Sequence, residues 1–94
     1  MILNGQAETE HAGRYVQQLC KHWSHKFEVE ADTDQGHIHL PIGEVFLRAA
    51  DHSLDIELKP QEAASADKLK QVVVDHIDRF AHKEGGLSYR WTAE

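Results

Sequence analysis

A two-layer α+β sandwich is the fold class this sequence predicts: β-α-β-β-β-β-α-β, with both helices on one face of a mainly antiparallel sheet. Three observations carry the prediction. Two segments, about residues 10–24 and 65–83, place apolar residues at the period of an amphipathic helix. Between them the period falls to two over four short runs joined by tight turns, which describes an antiparallel meander. Each helix then has one apolar stripe and the meander one apolar face. Packing both helices on the same side of the sheet buries all three. The 94 residues are read as one domain, 1–94, with a single core and little margin.

Taken in order, Leu3–Glu8 is short and weakly patterned and reads as an edge strand. Thr9 is placed to cap the first helix, with Glu10 favouring its positive end. Tyr15, Val16, Leu19, Cys20 and Trp23 form the helix's apolar stripe, and Gly13 weakens its first turn. At Lys26 the pattern changes: Phe27, Val29 and Ala31 alternate with Glu28, Glu30 and Asp32. Thr33–Gly36 supplies turn residues. Ile38, Leu40 and Ile42 alternate with His37, His39 and Pro41, and Pro41, lacking an amide donor, marks the ladder's end. Val45, Leu47 and Ala49 form a third strand, and Leu54, Ile56 and Leu58 a fourth. Ser65 is placed to cap the second helix, whose stripe is Leu69, Val72, Val73, His76, Ile77 and Phe80. Gly85-Gly86 stops it, and Leu87, Tyr89 and Trp91 alternate in a last strand.

Composition narrows the function classes. The formal charge is −6 with histidines neutral, so the chain lacks the cations needed to displace counterions from phosphates, and nucleic acid is not expected as a partner. No apolar run approaches the ~20 residues of a membrane helix, and the first residues have neither the basic flank nor the apolar centre of a signal peptide. A lone Cys20 offers no internal disulfide. The expected location is cytoplasmic. Eight histidines are about three to four times ordinary usage, and this excess is the compositional clue to chemistry.

Two blocks carry a family resemblance. One is Arg14-Tyr15, Leu19-Cys20, His22-Trp23 and His25-Lys26-Phe27; the other is Val72-Val73, His76, Arg79-Phe80-Ala81 and Glu84. With the meander between them, the chain resembles a bacterial family catalogued as domain of unknown function 2218. The resemblance implies a two-layer α+β fold of the TATA-binding-protein-like class, without implying DNA binding. Some relatives are joined to siderophore-interacting flavin reductases, which implies a tie to iron or siderophore handling and such a reductase as a partner. The family brings no established activity.

The histidines supply the candidate sites. His76 sits in the second helix's apolar stripe, where its ring must find hydrogen-bond partners; a backbone carbonyl or a carboxylate would serve. His22 lies at the edge of the first helix's stripe, so adjacent helices would bring His22 and His76 together. With Cys20 or a carboxylate added, the pair would suit zinc or iron. Cys20 and His22 point about 160° apart on a helix, so they cannot share a ligand. His25 follows at the helix end as a third candidate ligand or a cation for the helix dipole. A second constellation lies on the open sheet face. His37 and His39 point the same way, with pairings expected at Asp32–His37 and Glu30–His39, so the group resembles a two-histidine-one-carboxylate set or a solvated cross-strand ladder. Phe46 and Arg48 share that face, and an exposed aromatic among charges suggests a binding surface. Arg79, one turn after His76, is placed to orient a carboxylate or to form a surface ion pair. No nucleophile–base pair is legible. A non-enzymatic accessory or binding domain is the first functional expectation, and a histidine-based metal protein, with a site near His22 and His76, the second.

Overall fold

A computed structural model describes residues 1–94. The elements are β1 (Leu3–Glu8), α1 (Ala12–Ser24), β2 (Val29–Ala31), β3 (Gln35–Leu40), β4 (Gly43–Ala49), β5 (Ser53–Pro60), α2 (Ala66–Phe80) and β6 (Tyr89–Ala93). Short 3₁₀ turns at Ala63–Ser65 and His82–Glu84 flank α2. The six strands form one sheet in the order β2-β3-β4-β5-β1-β6, with every neighbouring pair antiparallel. Both helices pack on one face of it, as the apolar stripes require. One cluster of 16 buried residues fills the space between the layers, with Val16, Leu19, Leu69, Val73 and Ile77 from the helices meeting Ile38, Val45, Leu54 and Leu58 from the sheet.

β1 corrects the expectation of an edge strand. It lies inside the sheet, paired with β5 on one side and β6 on the other. Its pattern is weak because two of its helix-side positions are small. At Gly5 an added Cβ would fall 2.6 Å from the indole of its cross-strand partner Trp91, so the aromatic ring takes the space a side chain would fill. The helix starts also differ in detail. α1 begins at Ala12, and the Thr9 hydroxyl accepts the His11 N–H at 3.1 Å, two residues along. Glu10 pairs with His52 at 2.7 Å. Ser65 occupies the cap position of α2 without a side-chain bond. α2 ends at Phe80, and Gly85 and Gly86 both take φ +80°, the left-handed conformation that turns the chain towards β6.

The open face of the sheet is laid out in cross-strand rows fixed by the register. One row carries His39, Glu44 and Lys59, with Glu28 bonded across from His39 through its carbonyl. The next carries Glu30, His37, Phe46, Glu57, Asn4 and Thr92. A third carries Gln35, Arg48, Asp55, Gln6 and Arg90.

The β2–β3 pairing corrects another expectation. Glu30 stands opposite His37, not His39, and Asp32 is bonded to Gln35, its amide reaching the Gln35 carbonyl at 2.9 Å. The turn is two residues, Thr33-Asp34, so Gln35 and Gly36 belong to the strand. A slip of two residues keeps every side chain on its expected face. Both histidines therefore still meet the Glu30 carboxylate of β2.

Candidate metal centre on the open sheet face

His37 and His39 point to the open face because they alternate with Gly36, Ile38 and Leu40 on β3, and Ile38 is fully buried beneath α1. Their rings lie with centroids 4.1 Å apart. Glu30 reaches across from β2, its Oε1 being 3.3 Å from His37 Nδ1 and 3.0 Å from His39 Nε2. Ligand atoms of Glu30, His37 and His39 all lie within 4.8 Å of one another. For bonds of ~2.1 Å at the tetrahedral angle, two ligand atoms are about 3.4 Å apart. The two distances to Glu30 are already near that separation, so a metal ion at the centre requires only small rotations of three partly exposed side chains.

Glu44 on β4 completes the arrangement from behind. Its Oε1 is 2.8 Å from His37 Nε2 and 3.7 Å from His39 Nδ1. With His37 Nδ1 and His39 Nε2 turned towards Glu30, Glu44 faces the other nitrogen of each ring. A metal-ligating imidazole that donates its remaining N–H to a carboxylate has its orientation and tautomer set by that bond. Phe46 stacks on His37 at 4.0 Å between centroids and 19° between planes, and Lys59 Nζ lies 4.9 Å from the Phe46 centroid. Phe46 thus supports the His37 ring from within the open face. The hydrogen bond with His39 holds the Glu30 carboxyl below its ordinary range, and the same contact raises His39. Two imidazoles and a carboxylate, about one quarter to two thirds of whose surfaces face water, could hold a metal ion with coordination positions left for solvent or a ligand.

The other candidates fall elsewhere. His22 and His76 do approach, with ring centroids 5.2 Å apart, but no third histidine, cysteine, aspartate or glutamate completes a set with them. His76 is half-buried and its Nδ1 donates to the Val72 carbonyl at 2.7 Å, the backbone partner expected for a histidine in that stripe. His25 caps the C-terminal end of α1 and is exposed. Cys20 is buried, and burial pushes its thiol up, away from thiolate chemistry. Arg48 leans towards Asp55 at 3.6 Å, and Arg79 joins no ion pair. Glu84, instead of meeting Arg79, accepts the hydroxyls of Tyr15 and Thr9.

Glu44 is the residue that sequence reasoning missed. The signal was present: Pro41-Ile42 is a two-residue turn, and counting back from it puts Glu44 opposite His39.

Beside the centre, a shallow depression of about 930 Å³ crosses the open face, bordered by Glu30, His37, Gln35, Arg48, Gln6 and Arg90 among others. No helix of the chain is long and apolar enough to cross a membrane.

Comparison with known proteins agrees with this architecture. The chain is similar to the protein of the NMR structure of PA4090 from Pseudomonas aeruginosa, at 35% identity and a TM-score of 0.80, over 97% of this chain and 94% of that one. No curated protein matches. The family model described as "Uncharacterized protein conserved in bacteria (DUF2218)" matches residues 4–92, and the chain belongs to that family.

Proposed function

We propose that this protein binds a divalent transition metal, zinc or iron, through Glu30, His37 and His39, with Glu44 orienting the two imidazoles. The observation that carries the reading is the convergence of two imidazole nitrogens on one carboxylate oxygen at 3.0 and 3.3 Å. Such a set leaves coordination positions open, so the bound ion is exchangeable and reachable from solvent. Binding is the activity proposed, in a small accessory domain. The test is metal content of untagged protein, followed by zinc and ferrous titrations monitored at the histidine ring protons. Stoichiometric binding that perturbs His37 and His39 before all other histidines supports the reading. No binding, or equal perturbation of all eight histidines, removes it.

A second reading adds a partner. The depression next to the centre, rimmed by Arg48 and Arg90, gives an incoming ligand or protein a polar surface adjoining the ion. Taken with the family resemblance, it supports the reading of an accessory domain in iron or siderophore handling, partnered by a flavin ferric reductase in the cytoplasm. Co-purification with such a reductase, and a shift of the His37 and His39 signals by a ferric siderophore, are the expected results. Absence of both leaves metal binding as the whole of the proposed function.

A further inference from the structure

The two edges of the sheet are guarded very differently. β2, at one end, is three residues long, and the chain there carries Glu28, Glu30 and Asp32 on the open side. Short length and like charges keep another strand from pairing with it. β6, at the other end, reads Tyr89-Arg90-Trp91-Thr92-Ala93. Tyrosine, tryptophan and threonine favour strands, and β6 has no proline, lysine or bulge and a single charge.

The ladder to β1 fixes which backbone groups of β6 are free. Ile2 and Glu94 exchange both N–H···O=C bonds, at 3.1 and 2.8 Å. Bonded and unbonded pairs alternate in an antiparallel ladder, so Asn4–Thr92 and Gln6–Arg90 are bonded pairs, and Leu3–Ala93, Gly5–Trp91 and Ala7–Tyr89 are not. The N–H and C=O groups of Tyr89, Trp91 and Ala93 therefore face away from β1, and no backbone bond outside the ladders takes them. The side chains along this edge are already ordered. Trp91 fills the space over Gly5, Tyr89 stacks on it at 6.1 Å and 21°, and Lys70 Nζ lies 5.6 Å from its centroid.

We infer that β6 pairs with β6 of a second copy of this chain, antiparallel about a two-fold axis at Trp91, so that one sheet runs through a dimer. That register sets Tyr89 opposite Ala93, Trp91 opposite its own counterpart and Ala93 opposite Tyr89, and so bonds all three outward-facing residues of each copy. Arg90 then stands opposite Thr92 of the second copy, whereas an axis at Arg90 would oppose two guanidiniums. Charge favours this edge over the other. Each chain carries −6, but Glu28, Glu30 and Asp32 lie at the far end of the sheet. Five strand spacings of ~4.8 Å, about 24 Å in all, separate β2 from β6, against a screening length of about 8 Å at physiological salt. The pairing does not use the Glu30–His37–His39 centre and holds whether or not that centre takes a metal.

The experiment measures sedimentation of the whole chain, with chelator present, from roughly 10 μM to 1 mM, the range of small and weak interfaces, together with amide exchange by NMR. The expected result is a monomer–dimer equilibrium. With rising concentration the amides of Tyr89, Trp91 and Ala93 gain about tenfold protection, while those of Arg90 and Thr92, bonded to β1, are protected throughout. Thr92 is exposed, and its charge variants read the register. Thr92→Glu faces Arg90 of the second copy and should tighten the dimer about threefold, whereas Thr92→Arg should loosen it about tenfold. Ala93→Pro removes an outward N–H that β1 does not use, and should weaken the dimer while the amide spectrum of the other strands stays unchanged. A monomer at every concentration overturns the inference and leaves the edge to a strand of another protein. A dimer whose outward β6 amides stay unprotected overturns it as well, as do equal dissociation constants for Thr92→Glu and Thr92→Arg.

Discussion

At the scale of single residues, the candidate metal centre separates ligands from groups that orient them, and the two roles respond differently to substitution. Glu30 supplies an oxygen directly, so Glu30→Gln removes an anionic ligand and should abolish stoichiometric binding. Glu44 touches only the far nitrogens of the two imidazoles. Glu44→Gln should therefore retain one ion per chain with affinity lowered about 10–100-fold. Isothermal titration with zinc checks both, and equal affinities for Glu44→Gln and the natural protein would remove Glu44 from the arrangement. The chemistry here was legible from sequence only in part. The i, i+2 spacing of His37 and His39 put both rings on one face without any knowledge of the fold. Which carboxylates they meet depended on loop length, and a two-residue turn was read as four. The error changed partners and not faces, so Glu30 stayed in the set by the arithmetic of the pleat.

Elements raise a different question, because β6 is an edge strand held by β1 on one side and must be anchored by something else. Asp78, on the last turns of α2, accepts the Leu87 N–H at 3.1 Å and the Tyr89 hydroxyl at 2.9 Å. Burial, then this bond, drives the Tyr89 hydroxyl far above its ordinary pKa, so it remains a donor at any working pH. Removing the acceptor leaves a half-buried hydroxyl and an amide without partners. Asp78→Ala should cost about 1–3 kcal/mol, read as a lower urea midpoint with unchanged slope. A loss below ~0.5 kcal/mol would mean β6 is held by the ladder and Trp91 alone. A second tie joins the start of α1 to the end of α2. The Tyr15 hydroxyl is pushed up to about 12, first by burial and then by Glu84, while its hydrogen bond holds the Glu84 carboxyl below the ordinary value of 4.5. A depressed carboxyl stabilises the fold above its unfolded value and loses that contribution as pH falls through its folded value. The urea midpoint of the natural protein should exceed that of Glu84→Gln by a constant margin above about pH 5.5. The margin should shrink as pH drops below 4.5; a margin independent of pH from 6 to 3 would refute the assignment. Neither tie follows a local period: Glu84 lies 69 and 75 positions from Tyr15 and Thr9, and Asp78, though only 9 and 11 positions from Leu87 and Tyr89, reaches them across the turn at Gly85-Gly86. The helices and the meander were visible, since their periodicity is local. β1 was misplaced for a physical reason: Gly5 leaves its space to Trp91, a residue 86 positions later, and no local pattern records that exchange.

For the whole molecule, the decisive fact is that the core and the candidate centre lie on opposite faces of one sheet. The buried cluster uses the helix-side positions of the strands, whereas Glu30, His37, His39 and Glu44 use the outward ones. Stability and metal affinity should consequently separate in a way they do not when ligands are buried. Replacing both His37 and His39 by alanine removes groups that are at least one quarter exposed and should leave the metal-free melting temperature within a few degrees. Leu69→Ala, at a fully buried position, should lose about 2–5 kcal/mol and melt far earlier. Adding zinc at about 100 times its dissociation constant stabilises the binding-competent fold by ~2.7 kcal/mol. For a chain of this length that corresponds to a rise of roughly 10–20 °C. The natural protein and Leu69→Ala should both show this rise, from different starting temperatures, and the double histidine variant should show none. Calorimetry with and without zinc reads all three. If the double histidine variant gained as much as the natural protein, the ion would be held elsewhere, and the open face would be a charged surface with no metal chemistry of its own.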